Sequence, residues 1–183
     1  LSLLDLLEGA AIDNLDFKIL DSLQRNARMK NSEIARDLGL AQSTVLERVR
    51  RLEEQGLIKG YRAILDAEKL GLAIQAFVSV AMQRHEAETI RKFEEGVRRL
   101  SGVRACYHLT GRFDYLLHVA VRDLEQLGKL VKSGIASLDG YGKSETFVIF
   151  SEIKSDEGIP LEDALFQDKD QASRAVVKRS ERS

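Results

Sequence analysis

Three arginines, Arg48, Arg50 and Arg51, fall within four residues of the stretch AQSTVLERVRRLEEQG, residues 41 to 56. Guanidinium groups at that density either pair with neighbouring carboxylates or hold phosphates, whose oxygens match the planar fork of donors. Just before them stand Gln42, Ser43, Thr44 and Glu47, polar groups of the kind that hydrogen-bond base edges. A second cluster is TGRFDY, comprising Thr110, Gly111, Arg112, Phe113, Asp114 and Tyr115. There Asp114 can pair with an ammonium and Arg112 with a carboxylate, while Thr110 and the Gly111 amide donate hydrogen bonds. The same run also reads as a hairpin turn in which Asp114 caps backbone amides and Arg112 is solvated.

Other chemistries find little support. His85, His108 and His118 lack metal-ligand spacing, and the single cysteine, Cys106, builds neither a zinc site nor an internal disulfide. Cys106 falls in a strand-like stretch with no base placed beside it, which predicts a small buried hydrophobe. His108 and His118 flank one hairpin, which predicts strand packing for both. There is no glycine-rich phosphate loop and no nucleophile elbow, so no cofactor is expected.

Positioning the arginines requires helices. Leu15, Ile19, Leu20 and Leu23, with Phe17 beside them, predict an amphipathic helix over 13 to 27 with Asp13 or Asn14 as its cap. Ser32 is expected to cap a short helix that buries Ile34, Ala35 and Leu38 and stops at Gly39, where a sharp turn needs a left-handed residue. A third helix follows from about Gln42 to Gln55. At 100° per residue Val45, Val49 and Leu52 form its buried stripe, and Ser43, Glu47, Arg50 and Glu54 lie opposite. Arg51 falls on the flank, and Arg48 sits beside the stripe, where its head reaches a phosphate or an acid. Two helices sharing a core across a glycine joint have the layout of a helix-turn-helix, whose second helix meets base edges with its N-terminal residues. Lys59 lies in GLIKGYRAILD, whose alternation from Ile58 to Leu65 predicts a strand resembling a basic wing. Glu47, Glu53 and Glu54 offer the alternative of a solvated face with local salt bridges.

Charge distribution agrees with a polyanion partner for one part only. The 183 residues carry a formal charge of −1. Arg25 to Arg62, by contrast, holds nine basic side chains against five acids, a net of +4, and the last thirteen residues carry +3. With 44% hydrophobic residues the chain can build one ordinary core or two small ones. No run of eighteen apolar residues reads as a membrane span. The opening LSLLDLLEGAAIDNLDF has acids at Asp5 and Glu8 and no basic start, so it does not read as a signal peptide. One cysteine suits a reducing cytoplasm.

The second half changes period. Strands are expected over 73–83, VRACYHLT, YLLHVAV and 144–154, with helices over 86–100 and 123–138, giving the order βαββαβ of a ferredoxin-like domain. The first of these helices should bury Ile90, Phe93, Val97 and Leu100, and the second Leu124, Leu127, Val131 and Leu138. Both helices cover one sheet face, so the other face of a monomer should be polar. Instead the first strand sets Ile74, Ala76, Val78, Val80 and Met82 against Phe77 and Ala81. The last sets Phe147, Ile149 and Ile153 against Val148 and Phe150. Two apolar faces predict a sheet-on-sheet homodimer with two DNA-binding heads.

The stretches LDFKILDSLQRNAR, SEIARDLGLAQSTVLERVRRLEEQGLIKGYRAILD, LTGRFDYLLHVAVRDL and ETFVIFSEIK together resemble the Lrp/AsnC (leucine-responsive regulatory protein) family of transcription regulators, over roughly Leu15 to Leu161. The resemblance implies an α+β chain with an N-terminal winged helix-turn-helix followed by a ferredoxin-like βαββαβ domain. It implies a partner in double-stranded DNA, an amino acid or related effector bound near TGRFDY, and dimers that assemble further, to octamers for example. The expected divisions are a DNA-binding head over 1–60, a linker over 61–72, an effector and assembly domain over 73–160, and a tail over 161–183. The expected role is that of a cytoplasmic DNA-binding regulator, not an enzyme. A siroheme decarboxylase-like enzyme of the same architecture is the alternative, and a sensing module whose head no longer binds DNA is a third reading. The chain departs from the family where Leu40-Ala41 replaces the usual Leu-Ser, removing a serine cap unless Gln42 or Ser43 substitutes. Ser101 and Asp139 replace prolines that usually precede two strands.

Overall fold

The computed structural model describes residues 12–161, arranged as two compact units. The expectations for the N-terminal opening and for the tail beyond residue 161 fall outside the described residues. Among the described residues, one unit takes in 12–63 together with 155–161, and the other spans Ile64–Lys154.

In the first unit, helix α1 (Asn14–Arg25) is capped by Asp13, whose carboxylate accepts from the Leu15 and Asp16 amides at 2.9 Å. Asp16 returns the bond by accepting from the Asp13 amide at 3.1 Å, closing a capping box. Helix α2 (Asn31–Leu38) begins one residue before the expected Ser32 cap. Lys30 holds the cap position, and the Glu33 carboxylate accepts from its amide at 2.9 Å. Gly39 ends α2 at φ 68°, and Leu40 N–H reaches back to the Ala35 carbonyl at 2.8 Å. Helix α3 (Gln42–Glu54) follows. Ile19, Leu23, Ile34, Ala35, Val45, Val49 and Leu52 form the core of the head, with Leu20, Met29, Leu38 and Ile58 packed on it.

The strand expected over Ile58–Leu65 does not form. Its ladder groups find no neighbouring strand among the described residues, and Gly60 breaks its extension at φ 148°. Tyr61 instead folds back on α3, donating its hydroxyl to Glu53 at 2.9 Å.

The second unit runs β1 (Ile74–Met82), α4 (Ala87–Arg99), β2 (Val103–His108), β3 (Tyr115–Val121), α5 (Leu124–Lys129, continued by a π turn and a 3₁₀ turn to Ser137) and β4 (Tyr141–Val148). All neighbouring strands are antiparallel in the order β2-β3-β1-β4, the ferredoxin-like arrangement. Ala76, Val78, Val80 and Met82 of β1, with Tyr115, Leu117, Val119 and Val121 of β3, pack against Phe93 and Val97 of α4 and Leu127 and Ile135 of α5.

Three expectations need correction here. Leu124 is exposed rather than inward, because it is the first helical residue after the Asp123 cap and stands beyond the core. The last strand ends at Val148 instead of residue 154, since β1, its one neighbour among the described residues, runs out: the Ile149 amide donates to the Gln75 carbonyl at 2.9 Å, and Phe150 and Ile153 beyond it are exposed. Cys106 is exposed rather than buried, because β2 is an edge strand.

Candidate functional site

Helix α3 lacks a side-chain cap at Ala41, and neither Gln42 nor Ser43 supplies one. Only the Ala41 carbonyl serves the helix, accepting from the Thr44 and Val45 amides at 3.1 and 3.3 Å. The first-turn side chains thus remain free to turn outward. Val45, Val49 and Leu52 are buried as the wheel requires, which leaves Gln42, Ser43, Glu47 and Arg50 exposed and Thr44 half-buried. Thr44, Glu47, Arg48, Arg50, Arg51 and Glu54 line a shallow open cleft along this face.

The four cations expected at phosphates fall into two kinds. Arg50 pairs with Glu54 at 2.7 Å, one turn along the same helix and in full solvent, and Lys59 is exposed. Such a surface pair contributes little and yields readily to a competing anion. Arg48 and Arg51 turn toward α1 instead. Arg48 Nη1 donates to Asp13 Oδ2 at 2.8 Å and to Asp16 Oδ1 at 2.9 Å. Arg51 Nη2 donates to Asp16 Oδ2 at 2.6 Å. The Asp16 side chain has no exposed surface. Asp13 sits below the ordinary carboxylate value: burial pushes it up, but the Asp16 amide and the Arg48 guanidinium outweigh that. Sequence reasoning overlooked Asp16. The signal available was an acid three residues after the Asp13 cap, in a chain whose third helix carries Arg48 and Arg51 beside its buried stripe.

The hairpin joining β2 and β3 is closed by Leu109 N–H to the Asp114 carbonyl at 2.8 Å, and Asp114 N–H donates to Val80 at 2.9 Å. The Asp114 carboxylate accepts from the Met82 amide at 2.6 Å and meets His85 Nε2 at 2.8 Å. These contacts, the Met82 amide foremost and against some burial, hold its carboxyl below the usual value. Asp114 therefore ties the hairpin to the end of β1. Thr110, Gly111 and Arg112 are exposed, and the Arg112 guanidinium lies 4.8 Å over the Phe113 ring. Tyr115 points the other way, into the core against Phe93, with its hydroxyl donating to Glu94 at 3.1 Å. The two histidines of the hairpin lie on opposite faces, His108 stacked on Tyr115 and His118 stacked on Phe77.

On the sheet face away from the helices lie Phe77, Ala81, Leu116, His118 and Ala120, joined by Tyr107 of β2 and Phe147 of β4. Tyr107 and Phe147 remain 54% and 46% exposed, so a broad apolar surface is uncovered.

Comparison with known proteins gives this geometry its context. Residues 12–59 match a family described as winged helix-turn-helix DNA-binding, and residues 75–159 match the Lrp/AsnC ligand binding domain. The leucine-responsive regulatory protein of Escherichia coli K12 is 35% identical over 146 residues, covering 80% of this chain and 89% of that protein. The solved structure of a Neisseria meningitidis transcriptional regulator in complex with L-Met superposes with a TM-score of 0.80 at 31% identity, covering 84% of this chain and 99% of that one. An AsnC family regulator from Agrobacterium tumefaciens superposes with a TM-score of 0.77 at 30% identity, covering 82% and 97%. With its helix-turn-helix head and ligand-binding sheet domain, the chain belongs to the Lrp/AsnC family of DNA-binding transcription regulators.

Proposed function

We propose that this regulator reads double-stranded DNA through the outward face of α3. Gln42, Ser43, Thr44 and Glu47 meet base edges in the major groove, and Arg50 and Lys59 hold phosphates. The outer edges of Arg48 and Arg51 stand beside them. One observation carries this reading: burial of Val45, Val49 and Leu52 turns an uncapped, polar first turn and Arg50 to solvent on one side of one helix. Fluorescence anisotropy of the full chain on duplexes selected from genomic DNA tests it. Tight, salt-sensitive binding to a defined duplex is expected, and no binding even in dilute buffer would overturn it.

The sheet domain binds an amino acid or a related small molecule. Support comes from the matched ligand-binding family and from the Neisseria meningitidis relative, which was solved with L-Met. Thr110, Gly111, Arg112 and Phe113 are the contacts. Asp114 holds their loop on β1, and Tyr115 anchors it in the core. Calorimetry with the twenty amino acids should find one or a few that bind, and Arg112→Ala should weaken them.

The protein assembles as a homodimer through the uncovered sheet face, and such dimers associate into higher oligomers such as octamers. The exposed Tyr107 and Phe147 around Phe77 and Leu116 support the first step. A DNA partner supports a cytoplasmic location. The siroheme decarboxylase alternative draws no support from the relatives described above, which are named as regulators.

A further inference from the structure

The number of arginines in α3 and the number available to DNA differ. Arg50 pairs with Glu54, and the two side chains are 77% and 61% exposed, so a phosphate replaces that carboxylate at little cost. Arg48 and Arg51 are 23% and 44% exposed and share the Asp13 and Asp16 carboxylates at 2.6 to 2.9 Å. A carboxylate offers a guanidinium the same pair of oxygens that a phosphate does. The capping box of α1 fixes both aspartates in place, so these acceptors are rigid and already desolvated on the Asp16 side. The apolar core already fixes α3 against α1 through Ile19, Leu23, Val45, Val49 and Leu52. Helix packing therefore does not require the ionic cluster.

We propose that Asp13 and Asp16 act as an internal counter-anion that competes with the DNA backbone for Arg48 and Arg51. The pair limits how many phosphates each head neutralises. It lowers affinity for any duplex and so raises the share of binding that depends on base edges. This rests on the reading of α3 as the DNA-facing helix.

The test uses the full chain and measures affinity for a selected and an unrelated duplex across a range of salt. Asp13→Asn is the decisive variant, because asparagine caps a helix about as well as aspartate and Asp13 is half exposed. Its salt slope should steepen by up to about 0.9 per head, because Arg48 keeps a single carboxylate partner, Asp16, and yields it to a phosphate more readily. Binding to the unrelated duplex should tighten more than binding to the selected one, so the ratio between them shrinks. Asp21→Asn, at a half-buried α1 acid paired with Arg25, removes the same charge elsewhere and should leave the slope unchanged. Adding Arg48→Gln to Asp13→Asn should restore the parent slope. An unchanged slope in Asp13→Asn, whether or not its melting temperature falls, would overturn the proposal. So would a steeper slope that Asp21→Asn reproduces or that survives Arg48→Gln. A parent protein that binds no duplex would instead overturn the DNA reading itself.

Discussion

Asp16 Oδ2 lies 2.6 Å from Arg51 Nη2, with the Asp16 side chain wholly out of solvent. The same carboxylate takes Arg48 and the Asp13 amide, so it joins the start of α1 to the second half of α3. Removing it strands the Arg51 guanidinium and the Asp13 backbone donor and leaves Arg48 with Asp13 alone. Because those guanidinium groups keep partial access to water, Asp16→Ala should cost about 2 kcal/mol, less than a fully buried pair. Urea unfolding measures this, and an unchanged midpoint would mean the cluster contributes nothing to the head.

Of the four cations proposed for phosphates, Arg50 and Lys59 are the least committed within the head. Replacing either with alanine should weaken binding to every duplex alike and flatten the salt slope by about 1 per head. Titrations on selected and unrelated duplexes at several salt concentrations check this. A loss confined to one sequence would reassign the residue to base contact.

Asp114 makes hairpin stability depend on acid. The Met82 amide and His85 hold its folded carboxyl below the unfolded value. The contribution is therefore fully present above the unfolded value of about 3.9 and disappears as pH falls through the lower folded one. Asp114→Asn should cost about 1 kcal/mol at neutral pH and show a shallower loss of stability on acidification. Parallel chemical unfolding of the parent and Asp114→Asn across that range checks the difference. Equal acid sensitivity would show that these contacts do not set the carboxyl's charge.

Phe147 is 46% exposed on the uncovered sheet face and lies directly across from Phe77. Phe147→Glu places a charge there without opening the helix-side core, so the fold should persist while the proposed homodimer dissociates. Sedimentation velocity at micromolar concentration should show a shift toward monomer. An unaltered dimer would place the interface elsewhere.

Periodicity was enough to locate most of this architecture. Val45, Val49 and Leu52 at helical spacing marked the buried side of α3, and alternating Ala76, Val78, Val80 and Met82 marked the helix-facing side of β1. What it left out are relationships between segments distant in sequence. Asp16 reads as a first-turn acid until Arg48 and Arg51 are brought over it. Asp114 reads equally as a ligand for an ammonium or a cap on backbone amides until the end of β1 delivers the Met82 amide and His85. The alternation of Ile58 to Leu65 signalled a strand, but a strand also needs a neighbour to bond, which the local pattern cannot supply.

The proposed function requires that Gln42, Ser43, Thr44 and Glu47, in the first two turns of α3, read base edges. Selection from a random duplex pool, performed with the parent and with Gln42→Ala and Glu47→Ala, tests it most directly. A defined preference in the parent that changes at one or two positions in each variant, with overall affinity for unrelated duplexes kept, is the predicted result. The same preference in all three proteins would contradict it.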